Sequence, residues 1–151
     1  MDSVATYFVQ VRRPYRFVSP APDAEFAAMI VAQDADVTSD EMNAVARELV
    51  DSGCRYAVCC GNDSSSWDDA IDFADIARRL YDSVTDDRVL LTTWHAEEPI
   101  DDVSKFFVMH TRFDGFEPRH YVILAIGDGE LAKEAYARTR FLNGKRKEGK
   151  K

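Results

Sequence analysis

The run Phe26-Ala27-Ala28-Met29-Ile30-Val31-Ala32 is apolar at every position. A strand with one wet face alternates, so an unbroken run of this kind fits a strand covered on both faces, as in a parallel sheet between two helical layers. After Gln33-Asp34-Ala35-Asp36-Val37 comes Thr38-Ser39-Asp40-Glu41, a capping box. In it Thr38 accepts from the Glu41 amide while the Glu41 side chain reaches back. Met42, Val45, Ala46, Leu49 and Val50 then recur at helical spacing, and Gly53 stands where a left-handed residue closes a helix. Strand, acidic loop and helix make one unit.

The unit recurs. Tyr56-Ala57-Val58-Cys59-Cys60 reads as a second buried strand, with Gly61-Asn62-Asp63-Ser64-Ser65 as its exit loop. Ser66 would cap a helix starting at Trp67-Asp68-Asp69, with Ala70, Ile71, Phe73, Ala74, Ala77 and Leu80 on its apolar side. Val89 to Thr93 reads as a third strand, and Pro99 suits the first position of a helix carrying Val103, Phe106, Phe107 and His110 on one stripe. Phe113-Asp114-Gly115-Phe116-Glu117-Pro118 reads as a turn. A fourth strand, Tyr121 to Ala125, leads through Ile126-Gly127-Asp128-Gly129 into a helix from Glu130 to about Asn143.

Four such alternations predict an α/β fold: a three-layer, Rossmann-like sandwich whose mostly parallel four-stranded sheet carries helices on both faces. Tyr7 to Val11 is a possible extra N-terminal edge strand or an extended arm, and Pro14, Pro20 and Pro22 keep the following chain irregular. The expected division is an arm or edge strand over residues 1–25, one domain over 26–143 and a basic flexible tail over 144–151. Counting the four strands from the Phe26 run, the expected order is 2-1-3-4. That order puts the switch point, where open sheets bind ligands, between the strands ending near Val31 and Thr93.

The 151 residues suit one domain with its own core, and the 46% apolar content argues against wholesale disorder. No apolar run approaches the roughly 18 residues that span a bilayer, and no signal peptide is visible. The three cysteines, Cys54, Cys59 and Cys60, crowd into one segment. That is a poor disulfide framework, and a cytoplasmic location is expected. The last eight residues hold five basic groups and one glutamate, so the net charge of −8 becomes −12 over residues 1–143. A body this acidic repels nucleic acid and favours a basic protein partner or a cation.

The exit loops gather the acid. They carry Asp34, Asp36, Asp40 and Glu41, then Asp63, Asp68 and Asp69, then Glu97, Glu98, Asp101 and Asp102, then Asp128 and Glu130, with no lysine or arginine among them. First-turn carboxylates complement a helix dipole, which explains many of these but not Asp34, Asp36, Asp63 or the His95-Ala96-Glu97-Glu98 group. His95 is the best candidate for acid/base chemistry, alone or with Glu97 or Glu98. The alternative is a structural histidine that ties down its own loop. Cys60 beside Gly61 is either a nucleophile with His95 as base or a core residue. Thr93, Trp94, Trp67, Asp68 and Asp69 complete a candidate ligand edge, the tryptophans either flooring a pocket or sealing the core. His110 and His120 are expected to be structural. Gly127-Asp128-Gly129 lacks the third glycine of a dinucleotide fingerprint.

Two resemblances follow from these residues. Asp34-Ala35-Asp36-Val37-Thr38 after a buried strand, Thr92 or Thr93 closing the third strand, and Gly127-Asp128-Gly129-Glu130 together resemble the motifs of haloacid-dehalogenase-like phosphohydrolases. That resemblance implies Asp34 as nucleophile, Asp36 as acid/base and Asp128 as a Mg²⁺ ligand, with Lys105 the nearest lysine for the family's third motif. The second covers residues 26–110 and rests on Ser52-Gly53-Cys54-Arg55-Tyr56, Trp67-Asp68-Asp69 and Thr92-Thr93-Trp94-His95-Ala96-Glu97-Glu98-Pro99. These elements are similar to an uncharacterised bacterial domain of unknown function, which implies no established activity. The leading expectation is a small α/β module, of accessory or immunity type, that binds a basic protein or a small ligand through its acidic carboxyl edge. It needs no cofactor, and its oligomeric state is open. The alternatives are a Mg²⁺-dependent phosphohydrolase or another hydrolase using His95.

Overall fold

The computed structural model describes residues 3–81, 88–113 and 115–149. In chain order the elements are β1 (Ala5–Val11), β2 (Phe26–Ala32), α1 (Ser39–Asp51), β3 (Cys54–Gly61), α2 (Ser64–Tyr81), β4 (Leu91–His95), α3 (Ile100–Met109), β5 (His120–Ile126) and α4 (Leu131–Gly149). The strands form one five-stranded sheet of order β1-β5-β2-β3-β4, parallel at every pairing. The fold is α/β as expected, but the sheet holds five strands because the Tyr7 to Val11 stretch pairs with β5 along its whole length.

Strand alternation distributes the core between two layers. Ala28, Ile30 and Ala32 of β2 pack with Val45 and Leu49 of α1 and with Trp67, Ile71 and Ala74 of α2. Ala27, Met29 and Val31 pack with Val103 and Phe107 of α3 and with Ala132 and Ala135 of α4. All seven residues of β2 are buried, which is why the run shows no alternation.

The expected strand order is overturned. In the count used above, the four strands stand 4-1-2-3, with β1 outside the fourth. The reason lies in composition. Tyr121 to Ile126 of β5 is fully buried, so it needs neighbours on both sides, whereas β4 has five residues of which only His95 is buried. A short, half-wet strand goes to the edge. The switch point therefore lies between β2 and β5, not between β2 and β4.

Local signals fared better. Thr38 caps α1 in a capping box with both bonds present, and Met42, Val45, Ala46, Leu49 and Val50 are its buried face. Several boundaries moved. Helix α2 begins at Ser64 rather than Trp67, and β4 runs to His95, two residues past the expected end. Phe73 and Leu80, assigned to the buried side of α2, are each 68% exposed on its outer face. Helix α4 continues into the basic segment, where Arg146 donates to the Val108 carbonyl and the Tyr121 hydroxyl. The turn expected at 113–118 shows as a bridge between Phe113 and Phe116, with Asp114 outside the described residues.

The arm after β1 takes the place of a crossover helix. Tyr15, Phe17 and Ala21 are buried, Arg16 and the Phe17 amide both reach Glu48 of α1, and Glu25 meets Arg55 at the amino edge. Among the described residues no helix is long and apolar enough to cross a membrane.

Candidate functional site

The carboxyl edge divides into two halves. The first is the switch point, where β2 and β5 end side by side. Gln33 spans it: its amide donates to the Gly127 carbonyl at 2.9 Å while its side-chain oxygen accepts from Ala132, in the first turn of α4, at 3.0 Å. Asp34 lies against Gly127, where a Cβ would come within 2.1 Å of Oδ1; the glycine's φ of +86° adds a second reason for its identity. The arm then reaches across to this half. The Tyr15 hydroxyl donates to Asp34 at 2.5 Å, and burial, helped by that bond, pushes the phenol up to about 12. Arg12 donates to Asp128 at 2.9 Å, and Gln10 reaches the same carboxylate at 2.8 Å. Arg13 donates to Glu41 at 2.7 Å and lies 3.7 Å from Asp36. That arginine holds the Glu41 carboxyl down at about 2.

So Asp34, Asp36 and Asp128 each meet a side chain of the arm, and they answer to it individually. Among the described residues, no three His, Cys, Asp or Glu side chains are grouped so as to hold a metal ion. The exit loops themselves hold no arginine, but the arm supplies two, Arg12 and Arg13. The signal was present in Arg12-Arg13-Pro14-Tyr15-Arg16, a basic cluster in an otherwise acidic half of the chain, and nothing in its spacing said where it would fold back.

The second half lies at the ends of β3 and β4. His95 is buried; its Nε2 shares a hydrogen bond with Thr93 Oγ1 at 3.0 Å and its Nδ1 with Glu98 Oε2 at 3.1 Å. The Phe106 ring packs on the imidazole at 4.6 Å. Glu97 takes φ +61°, a left-handed turn that brings Glu98 back to the ring and leaves Glu97 itself in solvent. Cys60 is the cross-strand neighbour of His95, but burial pushes its thiol up to about 12, far from a nucleophilic thiolate. Gly61 is required by packing, since a Cβ there would lie 2.4 Å from the Ala32 carbonyl oxygen.

The two tryptophans part company. Trp67 is 1% exposed within the α1–α2 core layer, its indole N–H without a partner, whereas Trp94 is 55% exposed on the edge strand. Asp68 is buried beside β4, and burial raises its carboxyl pKa, with the Thr92 hydroxyl and His95 pulling the other way and Asp69 and Asp72 adding to the rise. The loops after β3 and β4 carry Asp63 and Glu97, the second and third turns of α2 carry Asp69 and Asp72, and the first turn of α3 carries Asp102. All five are exposed, and none has a cationic partner among the described residues. His110 stacks near Phe106, and His120 bonds the Tyr7 hydroxyl, both away from this edge.

A cleft of about 200 Å³ opens at the amino edge between Cys54, Arg55, Asp75, Arg78 and Leu90. There the buried Asp75 carboxylate is already held by Arg78, Arg79 and the Leu90 amide.

These features define a five-stranded parallel α/β sandwich whose carboxyl edge has one half paired by the chain's own arm and one acidic half without such pairing among the described residues. The model of the family described as Domain of unknown function (DUF7684) matches residues 6–139, and the chain belongs to that family. The match takes in β1 and the arm as well as the 26–110 stretch that carried the resemblance to an uncharacterised domain. No curated protein matches the chain.

Proposed function

We propose that this domain is a binding module, of accessory or immunity type, that takes a basic protein through the open half of its carboxyl edge. One observation carries the reading: Trp94 stands 55% exposed on an edge strand whose flanking loops and helices carry carboxylates without cationic partners among the described residues, while the chain's own arginines pair with the carboxylates of the other half. An exposed indole ringed by polar groups is the usual make-up of a binding hot spot, and unpaired carboxylates steer a cationic partner and speed encounter. No cofactor enters this reading. Its test is titration of the full chain with oligo-lysine at low and high salt, followed through tryptophan emission. Saturable binding that weakens steeply with salt and drops in Trp94→Ala supports it. Binding unchanged by Trp94→Ala, or none at low salt, refutes it.

The Thr93–His95–Glu98 relay favours one second reading, a hydrolase in which Glu98 orients the imidazole and His95 activates the Thr93 hydroxyl. Burial of His95 and the distance of the open cleft from it weigh against this. Turnover of an ester substrate that vanishes in His95→Ala while the fold persists would favour the enzyme over the binding module.

A further inference from the structure

We propose that the basic partner binds as a sixth strand, its backbone pairing with the free edge of β4; this rests on the reading above and names its mode. Among the described residues β4 pairs with β3 alone, so the other side of its backbone presents unpaired amide and carbonyl groups. Such edges are commonly blunted by charge, proline or a bulge. Leu91-Thr92-Thr93-Trp94-His95 contains no lysine, carboxylate or proline, and its pairing with β3 runs without a register shift. The residues that blunt an edge are missing from the strand itself and are placed around it instead.

Side chains are available on both faces of that edge. Leu91 is cross-strand to Tyr56 and so lies on the α3 side, where it is 38% exposed; Trp94, beside Cys59, lies on the α2 side and is 55% exposed. An added strand alternates its own side chains above and below the sheet, so it meets an apolar surface in each direction. The other edge strand, β1, differs. Its side chains are half-buried or buried, and Asn143 of α4 bonds Thr6 across one face.

Charge selects the occupant. A second copy adding its own β4 would bring no lysine or arginine from Leu91 to His95, so that strand would leave the carboxylates on this side of the molecule unanswered. An extended segment with lysine or arginine at alternate positions meets those carboxylates favourably. Five residues at about 3.3 Å each give an edge of roughly 16 Å, so a segment of about five residues fills it.

The probe is a synthetic peptide of alternating lysine and threonine, compared with its fully N-methylated counterpart. The counterpart keeps the charge but has no main-chain donors. The expected result is that N-methylation weakens binding at least about tenfold, and that the unmethylated peptide slows hydrogen exchange at β4 backbone amides. Equal binding by both peptides, or binding with no change at β4, overturns strand addition and leaves the charge-driven module standing. Binding by neither overturns both readings. Sedimentation showing a dimer that Trp94→Ala dissolves overturns the choice of occupant.

Discussion

The two halves of the carboxyl edge are built from the same kind of residue and have opposite fates. At β2 and β5, Asp34, Asp36, Glu41 and Asp128 are each met by Tyr15, Arg13 or Arg12 of the chain's own arm, although Asp36 and Asp128 stay exposed. On the β3–β4 side, Asp63, Asp69, Asp72, Glu97 and Asp102 are exposed without a cationic partner among the described residues, and Trp94 is 55% exposed. In open α/β sheets the first half, the switch point, is where ligands generally bind. Here the chain's own arm meets that position, and the recognition surface we propose lies on the edge strand β4, beyond β3. A tally of acidic residues treats the halves as equal. What separates them is where a distant basic segment folds back.

That contrast is broken most directly at the arm. Tyr15 is 4% exposed and packs with Phe17 and Val37 in the α1–α2 core layer while donating to Asp34. Tyr15→Ala is expected to cost about 3–5 kcal/mol, the range for removing a buried aromatic ring, measured by denaturant unfolding. Tyr15→Phe keeps the ring but leaves the Asp34 oxygen without its donor, for about 1–3 kcal/mol. Across the divide, Trp94→Ala should change stability by less than about 1 kcal/mol while weakening binding of the basic peptide at least about tenfold. A Trp94→Ala protein destabilised as much as Tyr15→Ala would make both halves structural, and the contrast would collapse.

The sequence was most legible where neighbours along the chain decide the outcome. The Thr38–Glu41 box needs only four residues, and the burial of Phe26 to Ala32 follows from their composition. It was least legible where partners are far apart. Strand order depends on which strand tolerates the edge, a property that the two threonines of β4 share with many buried strands. Phe73 and Leu80 share a helical row with each other but sit on the far side of α2 from Ile71 and Ala74, and one-dimensional periodicity merged the two rows. Arg12 and Arg13 reach partners up to 116 residues away, beyond any local pattern. At the site, His95, Glu98 and Thr93 were legible as a group because they share one loop and strand end. Which of the two tryptophans would be exposed was not.

The ion pair that seals the closed half gives a pH signature. Glu41 is held at about 2 in the folded chain, below its ordinary 4.5, chiefly by the Arg13 bond. A carboxyl with a depressed folded pKa stabilises the fold above its unfolded value and loses that contribution as pH falls through the folded one. Wild type should therefore lose stability relative to Glu41→Gln as pH drops from about 4.5 to about 2. Parallel acid-denaturation curves for the two proteins would show that Arg13 does not clamp this half.

On the open half the sign reverses, and the effect is the smallest. Burial raises the Asp68 pKa, and Asp69 and Asp72 beside it raise it further, so the folded state resists the charge that the unfolded chain accepts freely. A raised folded pKa means that the residue's stabilising contribution is complete below the unfolded carboxylate range and fades as pH rises through the folded value. Asp68→Asn removes the charge at nearly constant shape, so at neutral pH it should melt at or slightly above wild type, and the gap should close on acidification. One Asp68 oxygen has no hydrogen-bond partner among the described residues, and the residue lies near Thr92 and His95 of β4. The same substitution should therefore slow association with the basic peptide at low salt. Slower association with unimpaired stability is the outcome expected of a carboxylate kept for a partner. A clear loss of melting temperature at neutral pH would instead make Asp68 part of the scaffold, and the open half would shrink to Trp94 and its loops.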